Sequence, residues 1–281
     1  MKIIQPNAIE LKQQPGFEGI LKHIELCGRT CYKSEDKITE DSYYRFVNML
    51  REHAHGAMLE HGTVYLTIPF DDISQEEFHT DTPKNNENGY KMSVIKNFIH
   101  NKYTKYAIHD MKYYITTNYR VIVENDWEDI MQKFQSECTE YHPKRRTFKI
   151  TCNRGVSHEF VRHRVFSFAQ ESQRYVNYSK DKFGKEIKVI EPNVLSFNSY
   201  DDMSNYLVWR KACEDAENAY FWLLENGATP QEARDVWPNA TATELIMTGF
   251  ESDWEHCFNL RCAKDAHPQA QEIANMIKEQ F

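Results

Sequence analysis

The sequence predicts an α+β fold, a β-sheet core flanked by helices, and three stretches carry that expectation. TVYLTIPF (Thr63 to Phe70) alternates apolar and polar residues, as a strand with one buried face does. FEGILKHIELCGRTCY (Phe17 to Tyr32) spaces its apolar residues as a helix does. SYDDMSNYLVWRKACEDAENAYFWLLENG (Ser199 to Gly227) is a long amphipathic helix closed by Gly227.

The remaining elements follow in order. MKIIQ opens the chain as a short strand, and ITEDSYYRFVNMLREH after the first helix again shows helical apolar spacing. Residues 71–146 look like an elaboration on a single domain spanning residues 1–281. Within it, TDTPKNNENGYK is a polar loop and MKYYITTNYRVIVEN is a β-prone run. DWEDIMQKFQSEC is a helix opened by an Asp cap. RRTFKITC returns to strand, and VSHEFVRHR is a short helix. After the long helix come TPQEARDVWP, a strand-like ATELIMTG and a last helix from about Asp253. No repeat of solenoid period is present.

A chain of 281 residues has ample capacity for a buried core. Its net charge of −8 argues against a nucleic-acid or anionic-membrane binder, so any basic site is local and suits a compact anion. Seven cysteines without CxxC spacing suggest neither a disulfide framework nor a zinc ribbon, and read as buried thiols in a reducing compartment. MKIIQPNAIELKQQPG lacks the apolar run of a signal peptide, and no stretch approaches a membrane span. A cytoplasmic protein is expected.

The chemistry concentrates in VRHRVFSFAQESQRYV (Val161 to Val176), where Arg162, Arg164 and Arg174 stand among aromatic residues suited to burial. Successive helical residues turn by about 100°, so Arg162 and Arg164 would face nearly opposite sides of a helix. Either the helix ends here or the two arginines serve different ligands. A guanidinium suits both roles, because its planar fork binds phosphate bidentately and stacks on rings. Ser172 and Gln170 can add hydrogen bonds to an anion or a pyrimidine edge. A salt-bridged surface helix is the plain alternative, and Phe166, Phe168 and Tyr175 weigh against it.

Other chemistries fail on spacing. His158 and His163 in HEFVRH are five apart, about 140° around a helix, which is poor for the zinc motif HExxH. His53, His55 and His61 could ligate a metal but lack obvious acidic partners, so no metal site is assigned. With ten glycines, and neither GxGxxG after a strand, a Walker sequence nor a GxSxG elbow, the sequence argues against a Rossmann or P-loop site.

Arg162-His163-Arg164, seven residues and then Ser172 resemble the RHR signature of the flavin-dependent thymidylate synthases, and Gln173-Arg174-Tyr175 extends the match. GRTCYKS (Gly28 to Ser34), HGAMLEH (His55 to His61), EARDVWPNAT (Glu232 to Thr241) and NLRCAKDAH (Asn259 to His267) resemble further family blocks in the same order. The resemblance implies a central, mainly antiparallel sheet flanked by helices. It implies reductive methylation of dUMP to dTMP, with 5,10-methylenetetrahydrofolate as carbon donor, FAD as redox cofactor and NADPH as reductant. It also implies a homotetramer with shared active sites, binding dUMP and folate and no nucleic acid or membrane.

Carried over residue by residue, the resemblance implies FAD contacts at His55, Ala57, Arg162, His163, Arg164, Gln170 and His256. For dUMP it implies Glu159, Arg162, Gln170, Glu171, Ser172, Gln173, Arg174, Arg234 and Arg261. Arg261 is the catalytic candidate, its charge favouring ionisation of the pyrimidine N3. Glu159 stands where some members use Gln, and Gln170 where others use Glu. Ser172 has no neighbouring base in the motif and is expected to position substrate. No PCH motif is present, so no thiol is nominated; flavin carries the redox chemistry.

One departure stands out. The family phrase resembling TGNYRAW reads TGFESDW here, with Phe250 and Ser252 replacing an FAD-binding Asn-x-Arg pair. TTNYRVI in the elaboration offers Asn118 and Arg120 as a substitute, the alternative being a hairpin cap with a surface arginine. Two other functions stay open: a non-catalytic nucleotide- and flavin-binding homologue, and a metal-dependent phosphohydrolase on His53, His55, His61 and His163.

Overall fold

The computed structural model describes residues 1–70, 95–96, 98–172, 178, 184–193 and 200–281, with side chains at 200–202 excepted. In chain order its strands are β1 (Lys2–Ile4), β2 (Asn7–Glu10), β3 (Thr63–Pro69), β4 (Lys105–His109), β5 (Lys112–Asn118), β6 (Arg145–Asn153), β7 (Ser167–Gln170), β8 (Lys188–Ile190) and β9 (Ala242–Phe250). Helices of seven residues or more are α1 (Gly16–Tyr32), α2 (Ser42–Glu52), α3 (Glu128–Phe134), α4 (Arg154–Phe160), α5 (Tyr200–Glu225), α6 (Glu251–Arg261) and α7 (Pro268–Lys278). The fold is therefore mixed helix and sheet, with antiparallel sheets flanked by helices. Among the described residues, no helix is long and apolar enough to cross a membrane.

The chain divides into two compact units. One comprises Met1–Leu11, Cys27–Lys37 and Thr147–Phe281; the other comprises Lys12–Leu26 and Ile38–Arg146. The elaboration expected over residues 71–146 falls in the second unit, and its polar loop TDTPKNNENGYK lies outside the described residues.

In the second unit, β3, β5 and β4 form an antiparallel sheet in that order, with Thr63 opposite Asn118 and Tyr106 opposite Ile115. Its core joins Ile20 and Ile24 of α1, Leu50 of α2, Leu66 of β3 and Ile115 of β5. Gly62 is required at the start of β3, because a Cβ there would lie 2.7 Å from Ile24 Cδ1 and 2.8 Å from Ile20 Cγ2.

Two expectations need correction in this unit. The β-prone run stops at Asn118, whose side-chain oxygen accepts from the Val121 amide at 3.1 Å and caps a helix over Tyr119–Glu124. Capping chemistry overrides the β propensity of Val121, Ile122 and Val123. Asp126 does not open α3: that helix starts after Trp127 with no side-chain cap bond. Asp126 instead takes φ +56°, while its amide and that of Trp127 bond back to Val123 and Ile122 and terminate the preceding turn.

The first unit holds a four-stranded sheet in the order β2-β6-β9-β7. Ala8 faces Ile150 across one antiparallel pair, and Ser167 faces Thr248 across another. Helices α6 and α7 cover it, burying Phe148, Ile150, Met247, Trp254, Ile273 and Ile277. A separate two-stranded sheet pairs β1 and β8 in parallel. Tyr220, Cys213, Val189 and Ala233 form a further core with α5, which Gly227 closes at φ +90°. The single last helix expected from about Asp253 is two helices, α6 and α7, broken by the segment ending at His267, with Pro268 starting α7.

Candidate functional site

Asn153 sets the site. Its side-chain oxygen accepts from the Val156 amide at 2.7 Å, starting α4 where β6 ends. The helix stops at Phe160, so the RHR segment is a turn. His163 N donates to Phe160 O at 3.0 Å, and Arg164 N to Arg162 O at 3.0 Å. This resolves the divergence of the two arginines: the helix ends before them. Arg162 and Arg164 are exposed, while His163 between them is buried.

His163 is held from α6. Arg261 Nε donates to His163 Nε2 at 3.0 Å; one terminal nitrogen of Arg261 pairs with the Glu159 carboxylate, and the other donates to Glu159 O at 2.7 Å. A guanidinium only donates, so Nε2 accepts and the imidazole carries its proton on Nδ1. Burial, the Arg261 charge and His256 push the His163 pKa down to about 4. The ring is neutral at pH 7. His256, exposed on α6, has its ring centroid 6.4 Å from that of His163. Glu159, Arg162, His163, Arg164, His256 and Arg261 thus gather at the C-terminal end of α4.

The segment after β7 is fixed differently. Gln170 Nε2 donates to Ser157 Oγ at 3.0 Å and to Thr243 Oγ1 at 3.3 Å. The Glu171 side chain is only 4% exposed; it accepts from the Tyr178 hydroxyl and stands 3.6 Å from Lys33 Nζ. Burial pushes the Glu171 pKa up despite Lys33. The Ser172 amide donates to Cys31 O at 2.7 Å. Gln173 and Arg174 lie outside the described residues. Arg234 is half-buried on a short turn behind the Thr229–Glu232 capping box, close enough to Arg154 that its charge, after burial, lowers the Arg154 pKa. Phe250 is buried and Ser252 exposed where the family phrase has Asn and Arg.

In the other unit His55 and Ala57 are exposed at a single helical turn, Gly56–Leu59. Arg120 packs against that turn: a Cβ on Gly56 would lie 3.0 Å from its Nε. Arg120 also bonds to Glu60 and Glu124, each at 2.7 Å. His55, Ala57 and Arg120 are therefore neighbours, whereas the Asn118 side chain is buried as a helix cap. Among the described residues, no group of three or more His, Cys, Asp or Glu side chains is arranged to hold a metal ion.

Sequence reasoning assigned no role to Lys33, Tyr178, Glu244 or Lys149, which surround the carboxylate of Glu171 or extend its ion network. Lys33 stands in GRTCYKS, and nothing in that spacing alone pairs it with Glu171, 138 positions further on.

The chain combines antiparallel sheets flanked by helices with an RHR turn braced by an arginine from a later helix. It belongs to the thymidylate synthase complementing protein family, whose model matches residues 129–281. The flavin-dependent thymidylate synthase of Geobacter sulfurreducens is 33% identical over 122 residues, covering 43% of this chain and 49% of that protein. That of Pyrococcus furiosus is 28% identical over 168 residues, covering 58% and 66%. That of Pyrococcus abyssi is 30% identical over 135 residues, covering 47% and 53%. The chain thus spans about half to two thirds of the length of these curated relatives.

Proposed function

We propose that this protein is a cytoplasmic, FAD-dependent thymidylate synthase, a methyltransferase converting dUMP to dTMP. It uses 5,10-methylenetetrahydrofolate as carbon donor and NADPH as reductant, and acts as a homotetramer with shared active sites. The observation that carries this reading is the RHR turn. Arg162 and Arg164 project into solvent on either side of a neutral His163, which Arg261 fixes in one tautomer.

That arrangement fits a dinucleotide cofactor, since exposed guanidinium groups suit a diphosphate and a neutral imidazole can lie against a ring without charge repulsion. When bound, the flavin would supply the electrons of the reduction. His55, Ala57, Gln170 and His256 complete the proposed cofactor contacts. Glu159, Gln170, Glu171, Ser172, Gln173, Arg174 and Arg234 would bind the nucleotide, with Arg162 also reaching it. Arg261 brings positive charge to the pyrimidine, favouring loss of its N3 proton. Glu159 holds Arg261 in place rather than leaving it free to swing.

The test is tritium release from 5-labelled dUMP by FAD-loaded protein. Release that needs both NADPH and methylenetetrahydrofolate is expected; none under full loading rejects the synthase reading. The capping role of Asn118 favours a second outcome, because its side-chain oxygen is committed to Val121 and Phe250 and Ser252 offer no Asn-x-Arg pair. A protein that holds yellow flavin and binds dUMP without turnover would then be a non-catalytic homologue. Arg120 stands beside His55 but is paired with Glu60 and Glu124, so a flavin would share it with those carboxylates. Arg120→Ala is expected to weaken FAD about tenfold, and unchanged retention removes Arg120 from the cofactor site.

A further inference from the structure

The last turn of α1 reaches the proposed nucleotide segment through two kinds of bond. Cys31 O accepts the Ser172 amide at 2.7 Å, so backbone holds backbone. Two residues on, Lys33 takes φ +48°, a left-handed conformation uncommon for a residue with a long side chain. That turn carries its ammonium group to Glu171 at 3.6 Å and to Glu244 at 2.5 Å. Glu244 is held in turn by Lys149 at 2.9 Å, and Lys149 stands 3.8 Å from Glu35.

Strand β9 closes the arrangement. The Glu171 amide donates to Glu244 O at 2.8 Å, and the Glu244 amide donates back to the Glu171 carboxylate at 3.3 Å. The other Glu171 oxygen accepts from Tyr178. Burial opposes charge on Lys33, yet Glu171, Glu244 and Glu35 outweigh it and hold its pKa above the usual range. A carboxylate as enclosed as that of Glu171 is costly unless paired, and Lys33 is the cation beside it among the described residues.

We propose that Lys33 is a positioning residue for the dUMP-binding segment 170–172, holding Glu171 inward so that Ser172 meets the nucleotide. The proposal rests on the synthase reading above and adds a role for the GRTCYKS block. Removing the Lys33 charge leaves Glu171 without its cation; the carboxylate then protonates or turns out towards water, and Ser172 moves with it. Lys33 acts through Glu171, so the two side chains must be coupled in dUMP affinity and uncoupled from flavin affinity.

The experiment is a double-mutant cycle on the FAD-loaded full chain, titrated with dUMP, using Lys33→Met, Glu171→Gln and the double variant. Each single variant is expected to bind dUMP about tenfold more weakly, and the double variant about tenfold rather than a hundredfold. FAD affinity stays within about twofold throughout, and Lys33→Arg restores dUMP binding to within about threefold. If Lys33→Met does not fold, Glu171→Gln and the double variant still decide, because equal dUMP affinities are expected for those two. Wild-type affinity in Glu171→Gln, or a further tenfold loss in the double variant, overturns the proposal. Wild-type protein that holds FAD and binds no dUMP rejects the synthase reading itself, before any variant is compared.

Discussion

Arg261 uses all three of its guanidinium nitrogens inside the site: one on His163, one on the Glu159 carboxylate and one on the Glu159 carbonyl. Lysine cannot reproduce that fork, so Arg261→Lys and Arg261→Ala are expected to behave alike. Because the Glu159 side chain is 40% exposed, solvent screens the ion pair, and losing it should cost stability only about 1 kcal/mol or less. Tritium release should fall about a hundredfold or more if the guanidinium faces developing charge on the pyrimidine. Thermal melting and turnover measured side by side check this; a large fall in melting temperature with equal loss of folded protein would make Arg261 a structural residue. This part of the site was legible in the sequence, because a motif of fixed spacing names side chains directly. Its internal bonding was not. Glu159, expected to touch nucleotide, is also the partner of Arg261, which no spacing announces. The Lys33–Glu171 pair joins residues far apart in the chain, and a burial-driven pairing leaves no local pattern to read.

The long elements were equally legible where periodicity was strong and the ends were marked. Gly227 closes α5 as read, and the alternation of TVYLTIPF gives β3 over Thr63–Pro69. Misreadings fell where one polar side chain decides between structures. Asn118 turns a β-prone run into a helix, and Asp126 ends one helix where it was expected to begin another. Close packing is a third feature that sequence hides. Gly249 on β9 lies under Phe166, and a Cβ there would come within 2.3 Å of Phe166 Cδ1. That ring is itself packed edge-on against Trp254 at 4.6 Å, so it has little room to yield. Gly249→Ala is therefore expected to cost about 1–3 kcal/mol by overpacking. Phe166 also donates its amide to His163 O, so the strain reaches the RHR turn. Urea unfolding and FAD titration of the variant should both shift; an unchanged unfolding midpoint would show that Phe166 moves freely.

For the molecule as a whole, buried charge gives stability a direction in pH. The net charge of −8 comes from 42 acidic and 34 basic residues, yet two buried titratable groups are histidines kept neutral. Burial first, and then Arg145, lowers the His23 pKa to about 4; burial first, and then Arg261 and His256, lowers His163 to about 4. An unfolded histidine titrates near 6.5, so between pH 6.5 and 4 the unfolded chain binds protons that the folded chain does not. Stability from these groups is complete above about pH 6.5 and is lost as pH falls towards 4. Glu171 acts in the opposite sense: its raised folded pKa favours the folded state as it protonates, and partly offsets the loss. By pH 5 each histidine should have cost about 1–2 kcal/mol, enough to move a urea midpoint well outside error. His163→Gln is expected to flatten the decline between pH 7.5 and 5 by about half and to leave the part due to His23; a decline as steep as that of the unaltered protein would mean that His163 already carries a proton in the folded state.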